Sequence, residues 1–97
     1  MFVGSCLVEI HIPLSRSLKE KRSVLNRLKG RIENRFNVSI AEVDHQDLWQ
    51  RASLGLAAVG IDASSVEQVF DRVRDVIESE GSAQILAFDR SIERFEH

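Results

Sequence analysis

The chain has 97 residues, of which 43% are hydrophobic and 29% are charged, with 13 basic against 15 acidic side chains. This length suits one domain with a modest core and excludes two, so we expect a single domain over residues 1–97. The ordinary composition excludes a low-complexity or largely disordered chain, and the single cysteine excludes an internal disulfide or a cysteine zinc site.

The first two predicted elements are a strand and a long helix. Residues 2 to 12 read as a strand that ends at Pro13. Its predicted inward face carries Cys6, Val8, Ile10 and Ile12. Ser17 stands three residues before Glu20, which is a capping-box pattern, and we predict a helix over residues 16 to 36. The apolar stripe of this helix is Leu18, Leu25, Leu28, Ile32 and Phe36.

The second half of the chain begins with a predicted hairpin. Residues 38 to 43 and 51 to 60 read as strands joined by a polar connection. A second capping box, Ser64 with Glu67, is predicted to start another helix, and Gly81 is placed to end it.

A last strand over residues 83 to 90 completes the order βαββαβ. This order predicts the α+β class and a ferredoxin-like split sandwich. It has a four-stranded antiparallel sheet of order 4-1-3-2, with both helices on one face. The same topology brings residues 11 to 16, residues 17 to 22, residues 44 to 50 and the turn around Gly81 to one edge of the sheet.

Charge is strongly segregated along the chain. The first helix, residues 16 to 36, has a formal charge of +6 and the rest of the chain −8. The eight basic residues of this helix are Arg16, Lys19, Lys21, Arg22, Arg27, Lys29, Arg31 and Arg35. They flank the apolar stripe on both sides, which is typical of a solvated helix face. The alternative is a surface that holds RNA or another polyanion through its phosphates.

Lys21 departs from this pattern because it falls near the centre of the apolar stripe. A buried lysine needs a partner, and Glu42, Asp44 and Asp47 are the carboxylates expected nearby. We expect a structural ion pair, with a direct role in gripping a ligand as the alternative.

The connection from Asp44 to Gln50 combines carboxylates, His45 and the only tryptophan, Trp49. Turn formation by Asp44 and closure of the core by Trp49 are the simplest interpretations. Contact with a partner is a second possibility. Metal binding or proton transfer is a third, although the spacing matches no metal motif.

One face of the sheet is predicted to point away from both helices. It carries Glu9 and His11 among small residues, namely Ser5, Ser39, Ala41, Ser53, Gly55 and Ala57. Such a face is either exposed to solvent or covered by a second copy or a partner.

Several blocks of this sequence resemble a known family. They are LKEKR at residues 18–22, RFNVSIAEV at residues 35–43, and residues 44–51 with their aspartates and tryptophan. Together they are similar to the YlxP-like bacterial family, a domain of unknown function (number five hundred and three), over nearly the whole chain. The resemblance implies a ferredoxin-like fold in a small cytoplasmic protein. It also implies a gene often placed beside genes for transcription elongation, translation initiation and ribosome maturation.

The leading functional hypothesis is a non-enzymatic module that binds RNA or a ribosomal particle. Its predicted contact residues are Arg16, Lys19, Lys21, Arg22, Lys29, Asp44, His45, Trp49 and Arg51. The alternatives are a homodimer formed through the open sheet face, and an enzyme using His11, Glu42, Asp44 and His45. We expect no cofactor and no bound metal. The N-terminal residues lack the basic region of a signal peptide, and they do not read as a membrane span. A cytoplasmic location is therefore expected.

Overall fold

A computed structural model describes residues 1–96, in which four strands and two helices follow the predicted βαββαβ order. The strands β1 to β4 are Phe2–His11, Ser39–Asp44, Arg51–Gly60 and Gln84–Arg94. The helices α1 and α2 are Leu18–Arg35 and Ala63–Ser79. The sheet has the order β2-β3-β1-β4 with antiparallel neighbours, which confirms the predicted ferredoxin-like topology.

The first helix begins as its capping box predicts. The hydroxyl of Ser17 accepts a hydrogen bond from the backbone N–H of Glu20 at 3.1 Å. The carboxylate of Glu20 accepts in return from the backbone N–H of Arg16. These bonds use backbone donors that a helix N-terminus otherwise leaves free, so the first turn of α1 is held at the edge of the sheet.

The predicted start of the second helix is wrong by about half a turn. Asp62 is the N-cap, and its Oδ1 accepts from the backbone N–H of Ser65 at 2.7 Å. Ser64 therefore lies inside the first turn of α2. Aspartate and serine cap helices about equally well, so residue type alone does not distinguish the two positions in the sequence. The helix ends before Gly81, whose φ of 79° confirms the predicted end.

The last strand is longer than predicted, reaching Arg94 instead of ending at residue 90. Its extra residues pair with the beginning of β1, where Phe2 lies opposite Arg94. Arg90 is tolerated on the inward face because its guanidinium lies over the ring of Phe88 and forms ion pairs with Glu67 and Asp71. The charge of Arg90 is therefore neutralised by α2.

The core lies between the sheet and the two helices. The four residues predicted to face inward, Cys6, Val8 and Ile10 of β1 and Ile12 just after it, are all buried. Leu25, Leu28 and Ile32 from α1 and Val66, Phe70, Val73, Val76 and Ile77 from α2 pack against them. Burial raises the pKa of the Cys6 thiol to about 11, so Cys6 stays protonated at neutral pH as an ordinary core residue. Neither helix is long and apolar enough to cross a membrane.

The two helices are joined by one carboxylate. Glu80, with a side chain only 6% exposed, accepts hydrogen bonds from Arg27 and, at 2.6 Å, from Arg31. Burial alone would raise the pKa of Glu80, but these hydrogen bonds outweigh it and hold the pKa below its usual value of 4.5. Two of the seven cations of α1 are therefore engaged in helix packing.

We expect Glu80→Gln to lower the free energy of unfolding by about 1 kcal/mol at neutral pH. The pKa is lower in the folded state, so the carboxylate's contribution is complete above pH 4.5 and is lost as the pH falls through the folded-state value. Urea titrations across this pH range should show wild type and variant converging in acid. The control is Glu78→Gln, which removes an exposed pair with Arg74. A stability difference that does not change with pH would contradict the assignment.

Candidate functional site

The segments predicted to share one edge of the sheet do meet there. The side-chain amide of Gln50 donates to the carbonyls of Pro13 and Ser15, both at 3.1 Å. On the other side of β1, Nδ1 of His11 lies 3.3 Å from the side-chain oxygen of Gln84, just after the Gly81 turn. The connection between β2 and β3 is thus tied to the end of β1 and the start of α1. Gln50 is the residue that makes this link, and sequence reasoning did not single it out.

Lys21 is the anchor of this edge and is only 1% exposed. Its ammonium donates to the carbonyls of His45 at 2.8 Å, Arg51 at 3.2 Å and Gln46 at 3.4 Å. Oε2 of Glu42 lies 2.9 Å away, an ion pair without hydrogen-bond geometry. The predicted structural ion pair is confirmed with Glu42 as the partner. Because the Lys21 ammonium is held inside the protein, we leave Lys21 out of the proposed contact surface.

Four of the five remaining lysines and arginines of the predicted site form a cationic set, namely Arg16, Lys19, Arg22 and Lys29; the fifth, Arg51, lies near Glu9. The first three are exposed, and Lys29 is half-buried. Within residues 1–96 none of the four has an ion-pair partner. Lys19, Arg22 and Lys29 follow one another at spacings of three and seven, so they lie along one side of α1. This side is opposite the flank that Glu80 engages.

The turn at Asp44 and His45 has an unusual backbone. His45 has a φ of 62°, in the left-handed region that costs energy for a residue with a side chain. Oδ1 of Asp44 accepts from the His45 N–H at 2.7 Å, and the His45 carbonyl accepts from Leu48 N–H and from Lys21. The buried ammonium therefore helps to hold the strained residue, and Asp44 serves in turn formation as expected.

The side chains of His45 and Arg51 lie near Glu9, toward the open face of the sheet. Nε2 of His45 is 3.7 Å and Nη2 of Arg51 is 3.9 Å from the same carboxylate oxygen of Glu9. The hydroxyl of Ser53, which is buried, reaches both carboxylate oxygens of Glu9, at 2.6 and 2.7 Å. The predicted site residues therefore fall into two groups at this edge: His45 and Arg51 lie toward the open face, and the cationic set lies on the side of α1. Ser53 was noted only as a small residue of this face; the signal for its role is its position directly across from Glu9.

Trp49 does not close the core, as one interpretation expected, because it is 55% exposed. Leu14 and Leu48, from the neighbouring loop and the same connection, are exposed as well. An indole held in solvent, next to the Gln50 that ties this connection to Pro13 and Ser15, is available to a partner.

The residues of the enzyme hypothesis do not converge. Glu42 pairs with Lys21 inside the protein, while Asp44 bonds the adjacent backbone. His11 contacts Gln84, and His45 faces Glu9. Residues 1–96 also contain no group of three or more metal-ligating side chains in position to hold an ion.

Comparison with known proteins places the chain in a family. The model of the family described as "Protein of unknown function (DUF503)" matches residues 3–90. The chain belongs to this family. It is similar to the Bacillus subtilis (strain 168) "Uncharacterized protein YlxP", with 51% identity over 77 residues that cover 79% of this chain and 84% of the relative.

Solved structures share the fold of this DUF503 member at low identity. A "dimeric ferredoxin-like protein" from an uncultured marine organism matches all of both chains with a TM-score of 0.54 and 10% identity. SnoaB, a cofactor-independent oxygenase from Streptomyces nogalater, matches all of this chain and 96% of its own with a TM-score of 0.54 and 7% identity. At such identities the likeness is one of fold.

Proposed function

We propose that this protein is a non-enzymatic module that binds the phosphate backbone of RNA, free or within a ribosomal particle, in the cytoplasm. The contact surface is the cationic set together with Trp49. The observation that supports the proposal is the unpaired state of the cationic set within residues 1–96, in a chain with a formal charge of −2. Acidic side chains are numerous, yet those that form ion pairs within residues 1–96 do so with cations outside the cationic set.

The arrangement of the cationic set favours a phosphate chain over a single anion. Three of its members follow one side of α1 across three helical turns, and Arg16 precedes the helix. Cations spread along a line contact successive phosphates without reading bases. Affinity from such contacts comes largely from counterion release, so it falls as salt rises.

Trp49 adds a contact that suits single-stranded RNA. Unpaired bases stack on exposed aromatic rings, and each such contact is worth roughly 1–3 kcal/mol. The connection that carries Trp49 is fixed to residues 13 to 15 by Gln50, so the indole and the first turn of α1 hold a constant relation. Ordered placement reduces the entropy cost of binding.

Reversal of two cations is expected to weaken RNA binding at least about tenfold at roughly 50 mM salt. The variant is Lys19→Glu/Arg22→Glu, and the measurement is fluorescence anisotropy of a labelled single-stranded RNA. The matched control is Arg72→Glu/Arg94→Glu, which changes the net charge equally on other elements.

Two outcomes would overturn the proposal. One is the absence of RNA binding by the wild type at low salt. The other is an equal loss in both variants, because then net charge and not the position of the cations would govern binding. Co-sedimentation with ribosomal particles, repeated with both variants, extends the same comparison to an assembled RNA.

A further inference from the structure

We propose that the open face of the sheet is the contact surface of a symmetric homodimer. Both helices cover the opposite face, so within residues 1–96 no element of the chain lies on this one. The register places its residues in rows across the four strands. The proposal is independent of RNA binding, because the cationic set lies on α1 and just before it, away from the open face.

The centre of the open face is apolar and nearly uncharged. Leu7 and Val43 stand out from it and are 43% and 52% exposed. Around them lies a shallow depression lined by small residues of all four strands, which are Ser5, Ser39, Ala41, Gly55, Ala57 and Ser91. Such a surface is self-complementary, because the protruding side chains of one copy are able to enter the depression of the other.

A twofold axis parallel to the strands, between β1 and β3, matches these features. It places β1 of one copy over β3 of the other, so that Leu7 meets the row of Gly55. It also places β4 over β2. Asp89 and Arg90 are the charged residues lining the depression, and Arg90 is paired with Glu67 and Asp71 of α2. Asp89 then lies over the row of Ser39 and Ala41, which carries no like charge. Two aligned sheets packed in this way form a sandwich with a continuous second core.

The size of the open face agrees with a stable dimer. Four strands spaced about 4.8 Å apart, with lengths of 6 to 11 residues at about 3.3 Å each, give roughly 600 Å² per copy. Two copies together then bury about 1,200 Å², the lower end of specific interfaces. Among the charged residues of the open face, Glu9, Arg51 and His11 lie toward one end of the strands, where they form a polar rim. Asp89 and Glu93 lie on β4, the edge strand beside β1.

The test is the molar mass in solution, measured by light scattering and sedimentation equilibrium on nuclease-treated protein in high salt. Wild type is expected at twice the 11.0 kDa of one chain. Leu7→Arg and Val43→Arg should each raise the dimer dissociation constant at least about tenfold, since each buries a charge in the apolar centre. The control is Ile61→Arg, a 90% exposed position after β3 and away from the open face. Circular dichroism verifies that every variant is folded.

A wild type that stays monomeric up to about 1 mM would overturn the proposal. So would a dimer that Leu7→Arg and Val43→Arg leave intact, or one that Ile61→Arg disrupts equally. A dimer that dissociates when Lys19 and Arg22 are reversed, but not when Leu7 is changed, would also overturn it. RNA binding by a monomer would leave the proposed function standing, so the two failures are distinguishable.

Discussion

Replacing Lys21 by methionine is expected to lower the free energy of unfolding by about 3 kcal/mol. The methylene stem would be replaced almost in kind, so the loss comes from the ammonium. Three backbone carbonyls would lose their donor, and the carboxylate of Glu42, which is 18% exposed, would lose its counter-charge. Removing one partner of a buried pair costs more than the pair contributes, because the other charge remains.

Urea unfolding followed by circular dichroism measures this effect. Lys19→Met is the matched control, since the same substitution two residues earlier falls on an exposed side chain and should change stability by less than about 0.5 kcal/mol. The double variant Lys21→Met/Glu42→Gln should recover part of the loss by removing the unpaired charge. Equal effects of Lys21→Met and Lys19→Met would contradict the anchoring role.

The second large effect is expected from Gly4→Ala, with a loss of about 2 kcal/mol. Gly4 lies in β1 under α2, and a methyl group there would lie 2.7 Å from a ring carbon of Phe70 and closer still to Val66. Alanine is normally the better strand residue because it loses less backbone entropy. A loss of stability on Gly4→Ala would therefore result from the close approach of helix and sheet at this position.

Gly30→Ala is a control of opposite sign. Gly30 lies inside α1, and an added Cβ would have no neighbour within 4 Å. We expect a gain of about 0.5–1 kcal/mol from helix propensity alone. A double-mutant cycle of Gly4→Ala with Val66→Ala should show coupling, because the shortened side chain makes room for the methyl group. A neutral Gly4→Ala would contradict the packing described for α2.

The fold was predictable because its elements have clear periods and ends. The alternation of β1 and the stripe of α1 identify their buried faces, and Ser17 marks the helix start. The end of β4 was missed because it depends on contacts across the fold. Residues 91 to 94 of β4 pair with the first residues of β1, at the other end of the chain. Local sequence does not contain that information.

The candidate site was predictable in part for the same reason. Lys21 was identified as paired because it interrupts an apolar stripe, and topology brought Glu42 to it. The engagement of Arg27 and Arg31 by Glu80 depends on how the two helices dock, which no local pattern indicates. Because Glu80 engages Arg27 and Arg31, fewer cations of α1 are available to a ligand. The cationic set lies on the opposite side and remains available.

The fluorescence of Trp49 tests the proposed RNA contact most directly, because it is the only tryptophan and lies at the edge in question. Titration with short single-stranded RNA at low salt is predicted to quench its emission, with a midpoint that moves to higher RNA concentration as salt is raised. Lys19→Glu/Arg22→Glu should shift the midpoint further. RNA binding detected by anisotropy without any change in Trp49 emission would contradict the contact surface, and the absence of binding would contradict the function.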